Sequence, residues 1–199
     1  SAHSKTRGQK CSRVFYSCRF LLISTGHDNE RMSLVMLHPD NVLFQGEKPF
    51  PILPAVDHYA GSEKLMRKAL ALQHELGPVF DITFDCEDGA HAGAEAEHAA
   101  MAASLIMSGD NRFGRVGARI HDITHPHWER DVDILVSQAG ERLAFLTLPK
   151  SRSVADAALQ IESIRSAEER NSVERAIPVH VLIETHGALR DAWDIAALD

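Results

Sequence analysis

Val79-Phe80-Asp81-Ile82-Thr83-Phe84-Asp85-Cys86-Glu87-Asp88-Gly89 reads as a buried strand that ends in a burst of carboxylates. Asp85, Glu87 and Asp88 crowd its C-terminal end, and Gly89 follows. Like charges repel and burial penalises each of them, so carboxylates this dense call for a cationic partner: an arginine, a metal ion or both. Cys86 lies on the opposite side of the strand from Asp85 and Glu87, which makes it a packed core thiol rather than a nucleophile.

The segments around this strand repeat one unit. Upstream, residues 51–56 form a short apolar run and a first strand. Leu65, Ala69, Leu72 and Leu76 then recur at helical spacing, with Ser62 as the cap and Gly77-Pro78 as the stop. Downstream, a helix over about 94–107 carries Ala96, Ala99, Ala103 and Ile106 on one face, and residues 115–120 form a third strand. Pro126 opens the next helix, whose face is Trp128, Val132, Leu135 and Ala139. Residues 143–148 are a fourth strand. Ser153 and Asp156 begin a capped helix with Val154, Ala157, Ile161 and Ile164 as its stripe. Residues 178–183 are a fifth strand, and Leu189, Trp193 and Ala196 begin a fifth helical face.

Nearly continuous apolar strands alternating with amphipathic helices predict a parallel sheet covered by helices. An open doubly wound sheet would be expected to carry a glycine-rich phosphate-binding turn after a strand, and none is present. Polar residues instead collect at the strand C-terminal ends, where (β/α)8 barrels hold their chemistry. The expected fold is therefore a TIM barrel, with about five of its eight units in this chain.

Composition agrees with a globular domain: 44% hydrophobic and 25% charged in 199 residues. The formal net charge of −7 gives no support to binding nucleic acid or an anionic membrane. No apolar run approaches the ~18 residues of a membrane span. Residues 1–31 differ, with six Lys/Arg against two acids and with Cys11 and Cys18. They show no helical or strand period and read as a non-native or disordered leader, with the domain over 32–199. Arg19 argues against a signal peptide by interrupting the apolar stretch, and a basic organelle presequence is the alternative. Cys86 is then the single cysteine of the domain, which excludes a disulfide framework and fits the cytoplasm.

In a barrel the strand ends form one rim. The second strand brings Asp85, Glu87 and Asp88, and the third brings Arg119 followed by His121 and Asp122. The fourth brings Lys150 and the fifth Glu184. Arg119 and Lys150 are the candidate counter-charges. Glu184 suits Mg²⁺, a hard cation that takes one or two carboxylates plus substrate and water. Arg119 suits a substrate carboxylate. Glu87 or Asp88 would hold Arg119, orient water at the metal or move a proton. The competing reading is a rim ion pair that only fixes the barrel. His121, His125 and His127 with Asp122 suggest a metal cluster, but Pro126 spoils the spacing, and a solvated active-site loop is the better reading. The Ala- and acid-rich run 92–103 reads as an exposed helix face.

Four pieces in register resemble the HpcH/HpaI aldolase and citrate lyase beta-subunit superfamily, on its citrate lyase side. They are Phe84-Asp85-Cys86-Glu87-Asp88-Gly89, Val116-Gly117-Ala118-Arg119-Ile120, Leu148-Pro149-Lys150-Ser151 and Leu182-Ile183-Glu184-Thr185. The resemblance covers about residues 50–199. It implies a TIM barrel and a Mg²⁺-dependent carbon–carbon lyase, with Mn²⁺ as a substitute metal, acting through an enolate on a carboxylate or acyl-CoA such as citryl-CoA or malyl-CoA. It also implies that Arg119 contacts substrate and that Glu184 is a metal ligand, the second ligand being an aspartate after the next strand. Two departures mark a divergent subgroup. The family's basic element after the acidic strand end reads Glu97-His98-Ala99-Ala100-Met101, and its asparagine after the third strand is replaced by His121-Asp122. The catalytic residues expected are thus Arg119, Glu87 and Asp88, with Arg119 and Lys150 binding substrate, Glu184 binding metal and a coenzyme A thioester as substrate. A homo-oligomer is expected, with no nucleic-acid or membrane partner. The alternatives are a class II pyruvate aldolase acting on free 2-oxo acids and a non-catalytic metabolite-binding barrel.

Overall fold

The computed structural model describes residues 56–89 and 92–198. The leader, the loop before the domain and nearly all of the expected first strand lie outside the described residues. Five parallel strands run β1 (Asp57–Ala60), β2 (Asp81–Asp85), β3 (Val116–Arg119), β4 (Leu146–Leu148) and β5 (Val179–Val181). Their order in the sheet is the order in the chain. Parallel crossovers are right-handed, so an unreversed order puts every helix on the same side, whereas a doubly wound sheet must reverse. The connecting helices are α1 (Glu63–Leu76), α2 (Glu95–Met107), α3 (Trp128–Ala139), α4 (Val154–Arg170), α5 (His186–Arg190) and α6 (Ala192–Ala196). This is the repeating unit of a TIM barrel.

The register separates the two faces of the sheet. Ala60, Phe84, Ala118, Leu146 and Val179 lie in one row, apolar and packed against the helices. The next row is Asp85, Arg119, Thr147 and His180, on the face away from the helices. The strands therefore alternate rather than being continuously apolar. Polar groups are tolerated on the inner face because they pair with each other: Thr83 donates to Asp57 at 2.8 Å and Arg115 to Asp81 at 2.7 Å. The first described strand begins just after the expected one, at Asp57, and the others are shorter than expected, because only the paired residues hold ladder bonds.

Several helical faces match expectation and others do not. Trp128, Val132, Leu135 and Ala139 are all buried on α3. On α1 the buried set is Met66, Ala69, Leu70 and Gln73, while Leu65, Leu72 and Leu76 remain exposed. The stripe is shifted because Gln73 is a core residue: its amide donates to the Phe80 carbonyl ahead of β2. Ser62 occupies the cap of α1 without a side-chain cap bond, whereas Ser153 accepts from the Asp156 amide as anticipated. Pro126 precedes α3 instead of opening it. The run 92–103 is not simply an exposed face, since Ala99, Ala102 and Ala103 are fully buried while residues 92–94 and Glu97 are exposed. The fifth helix breaks at Asp191, whose carboxylate accepts from the Val154 amide and from Arg190. The break rotates the face, so Ala188 and Ile195 are buried while Leu189 and Trp193 are exposed.

The loops after β1 and β2 touch at two glycines. A Cβ on Gly61 would lie 2.5 Å from the Gly89 Cα. Gly61→Ala must push the acidic loop aside and is expected to destabilise the fold by about 1–3 kcal/mol. Urea denaturation measures this, and an unchanged midpoint would show that the loop yields freely.

Candidate active site

Arg119, at the end of β3, sits opposite the end of β2 and is gripped there. Its Nε donates to Asp85 Oδ1 at 2.8 Å and its Nη2 to Asp85 Oδ2 at 2.7 Å, a two-pronged pair. Nη1 lies 3.0 Å from Glu87 Oε2, and Nη2 3.8 Å from Asp88 Oδ2. The Tyr59 ring lies under the guanidinium, 5.2 Å from centroid to Cζ. Burial opposes the charge on Arg119, but its bonds to Asp85 and the charges of Asp85, Glu87 and Asp88 outweigh this and hold its pKa above the ordinary value. Asp85 is fixed further by the amides of Glu87 and Gly89, which donate to its two oxygens.

Lys150, after β4, completes the ion-pair wall. Its Nζ lies 2.5 Å from Glu87 Oε1 and 2.9 Å from Asp88 Oδ1. The bonds to Glu87 and Asp88 raise its pKa, and the same lysine lowers that of Asp88. Lys150 adopts φ 51°, the left-handed region that side chains other than glycine seldom enter. In that turn its backbone amide donates to Glu184 Oε1 at 2.7 Å while its side chain joins Glu87 and Asp88. Thr185 ties the next residue to the same turn by donating to the Ser151 carbonyl at 2.6 Å.

The structure thus brings Arg119, Glu87, Asp88 and Lys150 into direct contact, with Glu184 joined through the Lys150 amide. Four carboxylates (Asp85, Glu87, Asp88 and Glu184) meet two cations there. Among the described residues no three metal-ligating side chains gather. Glu87 and Asp88 are committed to Lys150 and Arg119, whereas Glu184 is exposed and uses one oxygen on the Lys150 amide. A hard oxygen donor on a rim with surplus negative charge suits Mg²⁺ as one of its few protein ligands.

The His-rich loop differs from expectation. His121 is buried rather than solvated, with Nδ1 2.6 Å from Asp131 Oδ2. His125 stacks on it at 3.9 Å. Sequence reasoning also passed over Tyr59, Asp131 and His98, whose Nε2 lies 3.0 Å from the Asp85 carbonyl. Asp131 carries the one signal that was available, an acid on the otherwise apolar face of α3. Cys86 is the buried thiol anticipated, and burial pushes its pKa well up.

A half-barrel whose strand ends carry an acid-locked arginine and an exposed glutamate defines a class of barrel with a carboxylate-rich rim, and similarity narrows it. No protein-family model matches the chain. A citrate lyase from Burkholderia xenovorans LB400 is 55% identical, with a TM-score of 0.72 over 74% of this chain and 46% of that one. The L-malyl-CoA/beta-methylmalyl-CoA lyase of Cereibacter sphaeroides is 28% identical over 116 residues, 58% of this chain and 36% of the relative. Haloferax volcanii malate synthase in a magnesium/glyoxylate complex shares the fold at 17% identity, with a TM-score of 0.57 over 67% of this chain and 42% of that one. These similarities support the HpcH/HpaI aldolase and citrate lyase beta-subunit superfamily that the sequence motifs resemble. It spans less than half the length of these relatives.

Proposed function

We propose that the chain is part of a Mg²⁺-dependent carbon–carbon lyase that cleaves a hydroxyacyl-CoA of the citryl-CoA or malyl-CoA kind. The observation that carries this reading is an immobilised arginine and an exposed carboxylate, Glu184, on one rim. Arg119 Nη1 lies 3.0 Å from Glu87 Oε2 but donates no hydrogen bond among the described residues, which leaves it available to a substrate carboxylate. Asp85 and Glu87 hold that fork so that it need not reorganise when substrate arrives. Lys150 adds a second positive group near the substrate's acid end. Glu184 would hold the metal, together with oxygen donors from substrate and water. Bound Mg²⁺ would act as a Lewis acid on a substrate oxygen and favour the enolate. The 28% identical malyl-CoA lyase supports a CoA thioester as substrate.

A class II pyruvate aldolase acting on free 2-oxo acids is the second reading. It is favoured by the start of α2, where Glu95 and Glu97 stand and no Lys or Arg offers itself to a CoA phosphate. We place the protein in the cytoplasm as a homo-oligomer. The free thiol of Cys86 agrees with that compartment, and no helix among the described residues is long and apolar enough to cross a membrane. Malyl-CoA and citryl-CoA, assayed beside free 4-hydroxy-2-oxo acids with Mg²⁺, separate the readings. Release of an acyl-CoA and an oxo acid from the thioesters alone is expected. Cleavage of only the free acids would transfer the assignment to the aldolase, and binding without turnover would indicate a non-catalytic barrel.

A further inference from the structure

His121 and Asp131 stand beside the ion-pair wall without joining it. Asp131 is buried on α3, and its Oδ2 accepts from both the backbone amide of His121 at 3.0 Å and its Nδ1 at 2.6 Å. That arrangement assigns the proton to Nδ1 and leaves Nε2 as the open nitrogen. Among the described residues Nε2 takes no hydrogen bond. The ring helps line a cavity of about 220 Å³ shared with Glu87, Asp88, Asp122, His125 and Lys150. His125 stacks on one face of it with the rings 12° from parallel. The backbone beneath is pinned from the other side as well, since Gln160 Nε2 donates to the His121 carbonyl at 3.3 Å. Burial raises the pKa of Asp131 against the lowering effect of its bonds from His121, and its Oδ1 is buried without a partner. A clamp for the loop would need only the amide bond that Asp131 already receives. The imidazole is an additional investment, aimed at the same space as the substrate-binding groups.

We propose that His121 is the catalytic proton carrier of the cleavage step and that Asp131 is its positioning residue. The proposal rests on the lyase reading above and deepens it. In the cleavage direction the substrate O–H bond breaks and its proton passes to the lone pair of Nε2. The O–H electron pair becomes the new C=O bond, the C–C bond breaks, and its pair enters the enolate of the thioester. The proton on Nε2 then passes to the enolate carbon, which yields the acyl thioester and neutral His121. No oxidant or further reactant is needed.

The test uses the full chain with Mg²⁺ and the CoA thioester that it cleaves fastest. His121→Gln fills the site and can hydrogen-bond but cannot carry the proton. It is expected to lower kcat by about 10²–10⁴-fold, the usual contribution of general acid–base catalysis, with KM within a few-fold. Asp131→Asn should lower kcat by a smaller factor, again with little change in KM. Added imidazole should restore part of the turnover of His121→Ala but none of that of Arg119→Ala. Circular dichroism checks that each variant is folded, and His121→Asn replaces any that is not. If a folded His121→Gln or His121→Asn keeps kcat within threefold of the native value, the proposal is overturned and the lyase reading stands. If the native protein cleaves none of the thioesters, both fall.

Discussion

Arg119→Ala is expected to abolish turnover and to cost about 3–5 kcal/mol of stability, the range for removing one partner of a buried ion pair. The size follows from what is left behind. The Asp85 and Glu87 side chains are 7% and 5% exposed; Arg119 is the cation paired with Asp85 among the described residues and shares Glu87 with Lys150. Lys150 still reaches Glu87 but not Asp85. Asp85, Glu87 and Asp88 would then face Lys150 as the one nearby cation among the described residues, and the Asp85 carboxylate would keep just the amides of Glu87 and Gly89 there. Guanidinium denaturation of the variant measures the loss. Neutralising the stranded acids in the same background, with Asp85→Asn and Glu87→Gln, should recover part of the stability and none of the activity. That split separates the structural part of the wall from its proposed contact with substrate. A variant as stable as the native protein would show that the ion pairs do not carry the weight assigned to them.

Glu184→Ala should do the reverse. Glu184 is exposed, and its only side-chain bond among the described residues is to the Lys150 amide, which water can replace, so stability should change little. Turnover should fall roughly 10²–10³-fold, corresponding to several kcal/mol of lost charge stabilisation by the metal. Calorimetric titration with Mg²⁺ should show weakened binding in the variant. Unchanged affinity for Mg²⁺ would move the metal elsewhere on the rim. Glu184→Gln keeps the acceptor for the Lys150 amide while losing the charge, so it should resemble Glu184→Ala in metal binding and the native protein in stability.

The path from sequence to site is uneven, and particular residues show why. Arg119, Glu87, Asp88, Lys150 and Glu184 were legible because strand ends in a barrel share one rim and because dense acids demand a cation. The outer face of the sheet was legible for a similar reason: Phe84, Ala118 and Leu146 are apolar where helices cover them. The inner face was not, since Asp81 and Thr83 are polar on buried strands and are satisfied only by Arg115 and Asp57, distant in the chain. Gln73 hid the true face of α1 for the same reason: a polar residue that satisfies a buried carbonyl cannot be told from a surface one by spacing alone. The break at Asp191 depends on a bond to the Val154 amide, 37 residues away. His121 reads as solvated from the sequence because its partner lies ten residues on, in the next helix. What the pattern misses in each case is a long-range polar bond, and such bonds also build the candidate site.

Metal-dependent cleavage of a CoA thioester is measured most directly as turnover of malyl-CoA and citryl-CoA by the purified protein with and without Mg²⁺. Cleavage to an acyl-CoA and an oxo acid that stops on addition of EDTA and returns with excess Mg²⁺ is the result expected. Cleavage at an undiminished rate in EDTA, or none of either thioester at saturating Mg²⁺, would contradict it.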